Sequence, residues 1–108
     1  MRDADAMKLV LTIDVEEEGL FSGRYPAGPA PTENVSRLGI LTPLFSALEI
    51  RPTLLVTYQV ARSPVHRDFL LRLRETWGAE IGAHLHPWNT PPIRPQPFTE
   101  LVPSELSL

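Results

Sequence analysis

In Glu80-Ile81-Gly82-Ala83-His84-Leu85-His86-Pro87-Trp88, two imidazoles stand two residues apart behind a short apolar run. Side chains alternate along an extended segment, so His84 and His86 share one face and Leu85 points to the other. Neutral imidazoles placed this way can converge on one metal ion. Pro87 has no N–H to donate and restricts the residue before it, so the strand ends here and delivers both histidines to its mouth. A second set of reactive groups closes the run from Lys8 to Val15, where Asp14, Glu16, Glu17 and Glu18 lie within five residues.

Two imidazoles and a carboxylate leave a fourth position open on zinc, where bound water loses much of its proton affinity. A second carboxylate within reach can then act as general base. Each part also has a plainer reading. His-x-His recurs by chance in surface loops, and Asp14 alone suits a satisfied turn carboxylate at a strand end. Glu17 and Glu18 read as solvated. Trp88 suits core or lid packing before it suits a platform for a sugar ring.

The elements that must position these groups alternate in type. Lys8 to Val15 is a nearly continuous apolar run of strand length, suited to a parallel strand buried on both faces. A loop rich in Gly and Pro follows from Gly19 to Pro31, long enough to lie over another part of the molecule. Thr32 is placed to cap a helix with apolar positions Val35, Leu38, Leu41, Phe45 and Leu48. Pro43 is a misfit inside it, because proline removes a hydrogen bond and clashes with the preceding turn, so a kink or two shorter pieces are expected. Pro52 to Tyr58 reads as a second strand with proline at its first position. Ser63-Pro64 starts a second helix whose stripe is Val65, Phe69, Leu70 and Leu73, and Gly78 ends it. A third strand, Glu80 to His84, begins at once. The order β, α, β, α, β predicts an α/β fold with a parallel sheet and right-handed crossovers. In such folds the functional groups gather beyond the carboxyl ends of the strands, where Asp14, Glu16, His84 and His86 lie.

Composition narrows the classes. A chain of 108 residues with 43% apolar content is the size of one small domain and too hydrophobic to be disordered throughout. Its 10 basic and 13 acidic residues leave a formal charge of −3 and no basic stripe, which argues against a nucleic-acid partner. With no cysteine, disulfides and thiolate metal sites are excluded, and His, Asp and Glu remain as the strong ligands. The N-terminus is acidic and Asp14 interrupts the apolar run, unlike a signal peptide. No run approaches the roughly 20 apolar residues of a membrane span, and a cytoplasmic location is expected.

Three segments resemble the N-terminal part of the polysaccharide deacetylase family, also known as carbohydrate esterase family 4 or the NodB homology domain. Thr12-Ile13-Asp14-Val15-Glu16 is similar to the family's Thr-Phe-Asp-Asp-Gly motif, Pro52-Thr53-Leu54-Leu55-Val56 to its Ala-Thr-Phe-Phe-Val strand, and Glu80-Ile81-Gly82-Ala83-His84 to Glu-Ile-Gly-Ser-His. The run through His86-Pro87-Trp88 looks most like the deacetylase-like proteins of surface-polysaccharide gene clusters, the WalW-like subgroup. The resemblance covers residues 8–88, and 89–108 read as a Pro-rich irregular tail in which Val102 to Leu106 could begin another element.

What the resemblance implies is a partial (β/α) barrel: the first three parallel strands and two helices of a deformed glycoside hydrolase/deacetylase-type barrel, with residues 1–108 as a single N-terminal fragment. The implied reaction is removal of an N- or O-acetyl group from an amino sugar or surface polysaccharide with a divalent metal, usually zinc. Asp14 falls on the family's general base and His84 on a metal ligand. Two positions depart. The family's second aspartate falls on Val15, and the Asp-x-Glu form of some members makes Glu16 the ligand instead. The family's second histidine falls on Trp88, leaving His86 as the substitute ligand by strand geometry and Trp88 as a candidate substrate contact. The later motifs, with an arginine and the general-acid histidine, have no counterpart. The competing readings are an inactive fold fragment, a non-catalytic carbohydrate-binding module, and a metal-dependent barrel of the amidohydrolase kind, whose His-x-His ends the first strand rather than the third. Beside a carbohydrate substrate, the open sheet edge makes self-association a further expectation.

Overall fold

Three strands of four residues each, β1 (Thr12–Val15), β2 (Thr53–Val56) and β3 (Glu80–Ala83), run parallel in the order β1-β2-β3. The computed structural model describes residues 6–93. Thr12 pairs with Thr53 and Thr53 with Glu80, and the register continues without a break to Val15, Val56 and Ala83. Ile13, Leu54 and Ile81 therefore share one face with Val15, Val56 and Ala83. Leu54, Val15 and Val56 are buried there in the same core as the helices. The opposite face carries Thr12, Asp14, Thr53, Leu55, Glu80 and Gly82, none of which is buried. Helices cover the first face over β1 and β2, leaving Ile81 and Ala83 of β3 exposed there, and the opposite face is open.

The first crossover breaks in two where Pro43 requires it. Glu33–Leu41 forms a 3-10 helix, and α1 (Thr42–Leu48) starts with Pro43 in its first turn, where its missing N–H costs no intrahelical bond. Thr32 does not cap the segment through its side chain. Its hydroxyl lies instead 2.8 Å from His66 Nε2, which ties the loop to the second crossover. Leu48, at the last turn of α1, is exposed.

β2 is shorter than its sequence suggests, because the chain turns into the single helical turn α2 (Tyr58–Ala61) as soon as the strand ends. Thr57 is still extended, and its carbonyl accepts the Ala61 N–H at 2.9 Å, so Tyr58 is helical rather than part of the strand. α3 (Pro64–Trp77) begins as anticipated: the Ser63 hydroxyl accepts the His66 backbone N–H at 3.3 Å. It ends at Gly78, whose φ of 64° suits the residue without a Cβ. Leu70, Leu73 and Trp77 are its buried residues, and Phe69 packs beside them. Val65 does not join the stripe and is 72% exposed. At about 100° per residue it stands roughly 80 to 140° around the axis from Leu70, Leu73 and Trp77. Phe45 and Trp77 meet edge to face at 4.9 Å, and the Trp77 indole donates to Thr42 Oγ1 at 3.0 Å, joining α1 to α3.

The first strand also differs from its sequence reading. Pairing stops at the Thr53 N–H bond to the Leu11 carbonyl, and Leu9 and Val10 are 78% and 81% exposed. A four-residue neighbour offers them no ladder, and among the described residues nothing packs on the face that carries Thr12 and Asp14, so burial on both faces does not occur. β3 is one residue shorter than expected, although the His84 N–H still donates to the Val56 carbonyl at 2.9 Å. The possible element at Val102 to Leu106 lies outside the described residues, as does the tail from residue 94 onward.

Candidate metal centre

The carboxyl ends of β1 and β3 bring the reactive groups together. Asp14 and Glu16 are two apart and leave β1 toward the open face. The His84 N–H bond to Val56 continues the β3 register by one residue, which sends its ring to the same side. His86 follows two residues on, while Leu85 between them is exposed. The two imidazole rings meet at 4.6 Å between centroids with planes 72° apart.

Glu16 is the hub. Its Oε2 lies 3.2 Å from His86 Nε2 and 3.7 Å from His84 Nδ1. One ligand atom from each of Glu16, His84 and His86 falls within 4.8 Å of the others. Asp14 Oδ1 approaches His84 Nδ1 to 3.7 Å, and the Asp14 side chain is 54% exposed at the mouth of the group. The expected ligands Glu16, His84 and His86 thus meet, with the expected base beside them.

Electrostatics in this cluster favour a cation. Burial pushes the Glu16 carboxyl above its ordinary pKa; the His86 and His84 imidazoles pull it back, while the charges of Asp14 and Glu17 push it further up. His84 Nδ1 is buried and has no hydrogen-bond partner. A buried polar atom without a partner is costly, and a lone pair facing carboxylates is well placed to ligate a metal. Two nitrogens and one oxygen are also a donor set that zinc accepts. The residues therefore fit a divalent metal on their own chemistry.

Glu17 overturns its solvated reading. It is 3% exposed, and its carboxylate accepts three side-chain hydrogen bonds: from Thr57 Oγ1 at 2.9 Å, Asn89 Nδ2 at 2.7 Å and His86 Nδ1 at 2.8 Å. Burial alone would raise its pKa, but the bonds from Asn89, His86, its own backbone N–H and Thr57 together outweigh that and hold it below its ordinary value. Glu17 lies two residues beyond Val15, on the parity of the covered face, and the chain folds it beneath the strand ends instead of out to water. That parity is what separates Glu17 from Glu18 in the acidic run, and Thr57, a polar residue at the end of an apolar strand, supplies its partner.

Three other residues escaped sequence reasoning. Asn34 donates to the Glu16 backbone carbonyl at 3.0 Å. Gln59, buried in α2, donates to the Asn89 carbonyl at 2.9 Å, and the Asn89 N–H returns to the His86 carbonyl at 3.2 Å. The Gln59 and Asn89 bonds brace the turn that carries His86, and the Asn34 bond holds the backbone at Glu16.

Trp88 is packed. It is half-buried, lies nearly parallel to the His86 ring at 4.5 Å and 16°, and meets Tyr25 edge to face at 5.1 Å. Through Tyr25 the long loop after Gly19 reaches the site, and the Glu18 N–H bond to the Pro31 carbonyl closes that loop at 2.8 Å.

No protein-family model, curated protein or solved structure matches this chain. Among the described residues, no helix is long and apolar enough to cross a membrane.

Proposed function

We propose that this chain carries the metal-binding part of a metal-dependent hydrolase that removes an acetyl group from an amino sugar or surface polysaccharide. The observation that supports the reading most is the meeting of one ligand atom each from Glu16, His84 and His86 within 4.8 Å, with the Asp14 carboxylate 3.7 Å from His84. Zinc is the metal proposed, held by those three side chains, and when bound it supplies Lewis acidity at the strand rim.

Asp14 is the proposed general base. Its exposed carboxylate faces the solvent from which the water that attacks the acetyl carbonyl comes, and it lies 3.7 Å from His84 Nδ1. Glu16, whose side chain is 20% exposed and whose Oε2 faces both imidazoles, is placed to hold a cation between them. Cleavage yields acetate and a free amine or hydroxyl, and the leaving atom takes up one proton. In the family that these motifs resemble, a histidine from a later motif gives that proton.

The proposed architecture is part of a (β/α) barrel. Sequential neighbours β1-β2-β3, helices on one face and an open face bearing Asp14, Thr53, Leu55 and Gly82 are what three consecutive barrel strands present toward an interior. Self-association through the outer strands belongs to the same proposal.

The test is acetate release from N- and O-acetylated amino-sugar oligomers, with and without added zinc, by this chain joined to the remaining strands of a deacetylase barrel that supply the later motifs. Zinc-dependent release that disappears in Asp14→Asn, while that variant still binds zinc, is the expected result. Zinc binding with no acetate release from either substrate class would overturn the deacetylase reading. Sugar binding that survives both chelation and Asp14→Asn would identify a carbohydrate-binding module instead.

A further inference from the structure

Glu17 stands outside the three-ligand set, yet it touches one of the ligands on the ring nitrogen that faces away from the cluster. His86 Nδ1 is 2.8 Å from Glu17 Oε1, and His86 Nε2 is 3.2 Å from Glu16 Oε2. From this geometry we infer that Glu17 is a positioning residue: it holds the hydrogen of neutral His86 on Nδ1 and so leaves the Nε2 lone pair aimed at the metal. The inference rests on the metal-site reading above.

A carboxylate can only accept hydrogen bonds, so a short contact with Glu17 Oε1 requires Nδ1 to be the donor. In a neutral imidazole the other nitrogen then carries the lone pair. Glu17 is itself fixed from two sides. Thr57 at the end of β2 donates to Oε2, and Asn89, in the turn beyond β3, donates to Oε1. The carboxylate therefore cannot swing away without breaking bonds to both. A ligand imidazole whose second nitrogen is held by a buried carboxylate is oriented and made more basic, and losing such a partner typically costs metal sites about 10- to 100-fold in affinity.

A consequence follows for the pair of ligands. His84 presents Nδ1 to Glu16 and Asp14, whereas His86 presents Nε2, so the two imidazoles would ligate through different nitrogens. Among the described residues, only His86 has a carboxylate on its second ring nitrogen.

The test begins with the metal-free parent protein, nitrogen-labelled, in long-range proton–nitrogen correlation spectra at about pH 8, above the ordinary imidazole value. The expected His86 signature is a protonated Nδ1 and an unprotonated Nε2. A protonated Nε2, or a ring protonated on both nitrogens and bridging the two carboxylates, would overturn the inference whether or not any variant folds. The second arm compares zinc affinity by competition with a chelator. Glu17→Gln, close to isosteric, should lose about 10- to 100-fold while keeping one zinc per chain. Thr57→Val, which removes only the remote bond, should lose less. If Glu17→Gln bound zinc like the parent and merely melted at a lower temperature, Glu17 would be a buried structural carboxylate and nothing more. If the parent itself took up no zinc, the metal reading would fall and this role with it. Zinc uptake without acetate release would leave the role of Glu17 standing while the deacetylase reading failed.

Discussion

Glu17 Oε1 and His86 Nδ1, 69 residues apart in the chain, stand 2.8 Å from each other in a buried environment. The same carboxylate takes a hydrogen bond from Thr57, so a single side chain joins the exits of β1, β2 and β3. Sheet registers fix where strands lie along one another, but they do not fix where the residues beyond the last ladder bond go. Here those residues are the site, and one buried acid gathers them.

That arrangement makes Glu17 important for stability as well as for the site. Glu17→Ala leaves donors on Thr57, His86 and Asn89 without their acceptor, and each buried group left unsatisfied costs about 1–3 kcal/mol. A lowered melting temperature by circular dichroism is expected for the metal-free protein, with Glu17→Gln affected less. An unchanged melt would show that water replaces the carboxylate without penalty.

The two glutamates should respond to pH with opposite signs. The folded Glu17 carboxyl lies below its ordinary value, so its stabilisation is complete above the unfolded pKa of about 4.3 and is lost as pH falls through the folded value. Glu16 lies above its ordinary value, so the folded state binds its proton more tightly, and that contribution is lost as pH rises through the folded value. Urea midpoints of the metal-free protein measured across pH should therefore show a shallower acid decline in Glu17→Gln. Glu16→Gln should instead gain stability over the parent near neutral pH. Parallel curves for parent and variants would contradict both shifts.

Zinc calorimetry separates ligands from neighbours. His84→Ala and His86→Ala should each reduce affinity by a similar factor, larger than the roughly 100-fold upper range for outer-sphere changes. Trp88 stacks on His86 but offers no lone pair to a metal, so Trp88→Ala should lose less than either and Trp88→Phe less still. Affinity in the parent should fall as the solution is acidified, because ligand imidazoles must be neutral and ligand carboxylates ionised. Full affinity in His86→Ala would remove it from the ligand set.

Two substitutions far from the metal test the frame. Leu54 is fully buried in the central strand, and Leu54→Ala should cost about 2–5 kcal/mol through lost burial and the cavity left behind. Gly78 sits at φ 64° where α3 hands over to β3, and Gly78→Ala should cost about 1 kcal/mol because a Cβ disfavours that region. Denaturant unfolding measures both, and a neutral Leu54→Ala would contradict the core assigned here.

Much of this protein was determined by local chemistry. Pro43 divides the first crossover because proline tolerates only the first turn of a helix, and Ser63, Pro64 and Gly78 mark both ends of α3 through capping and a left-handed exit. The two-residue spacing of His84 and His86 was enough to place both rings on one side, since the extended backbone alternates whatever surrounds it. Other features depend on partners far along the chain, and there the tertiary structure decided. Glu17 is buried only because Thr57 and Asn89, 40 and 72 residues away, supply its hydrogen bonds. Leu9, Val10 and Val65 are apolar yet exposed, because a short central strand and the rotation of α3 leave nothing among the described residues to cover them. Periodicity can state which residues share a face; only the assembled chain determines which faces meet another surface and which buried charge finds donors.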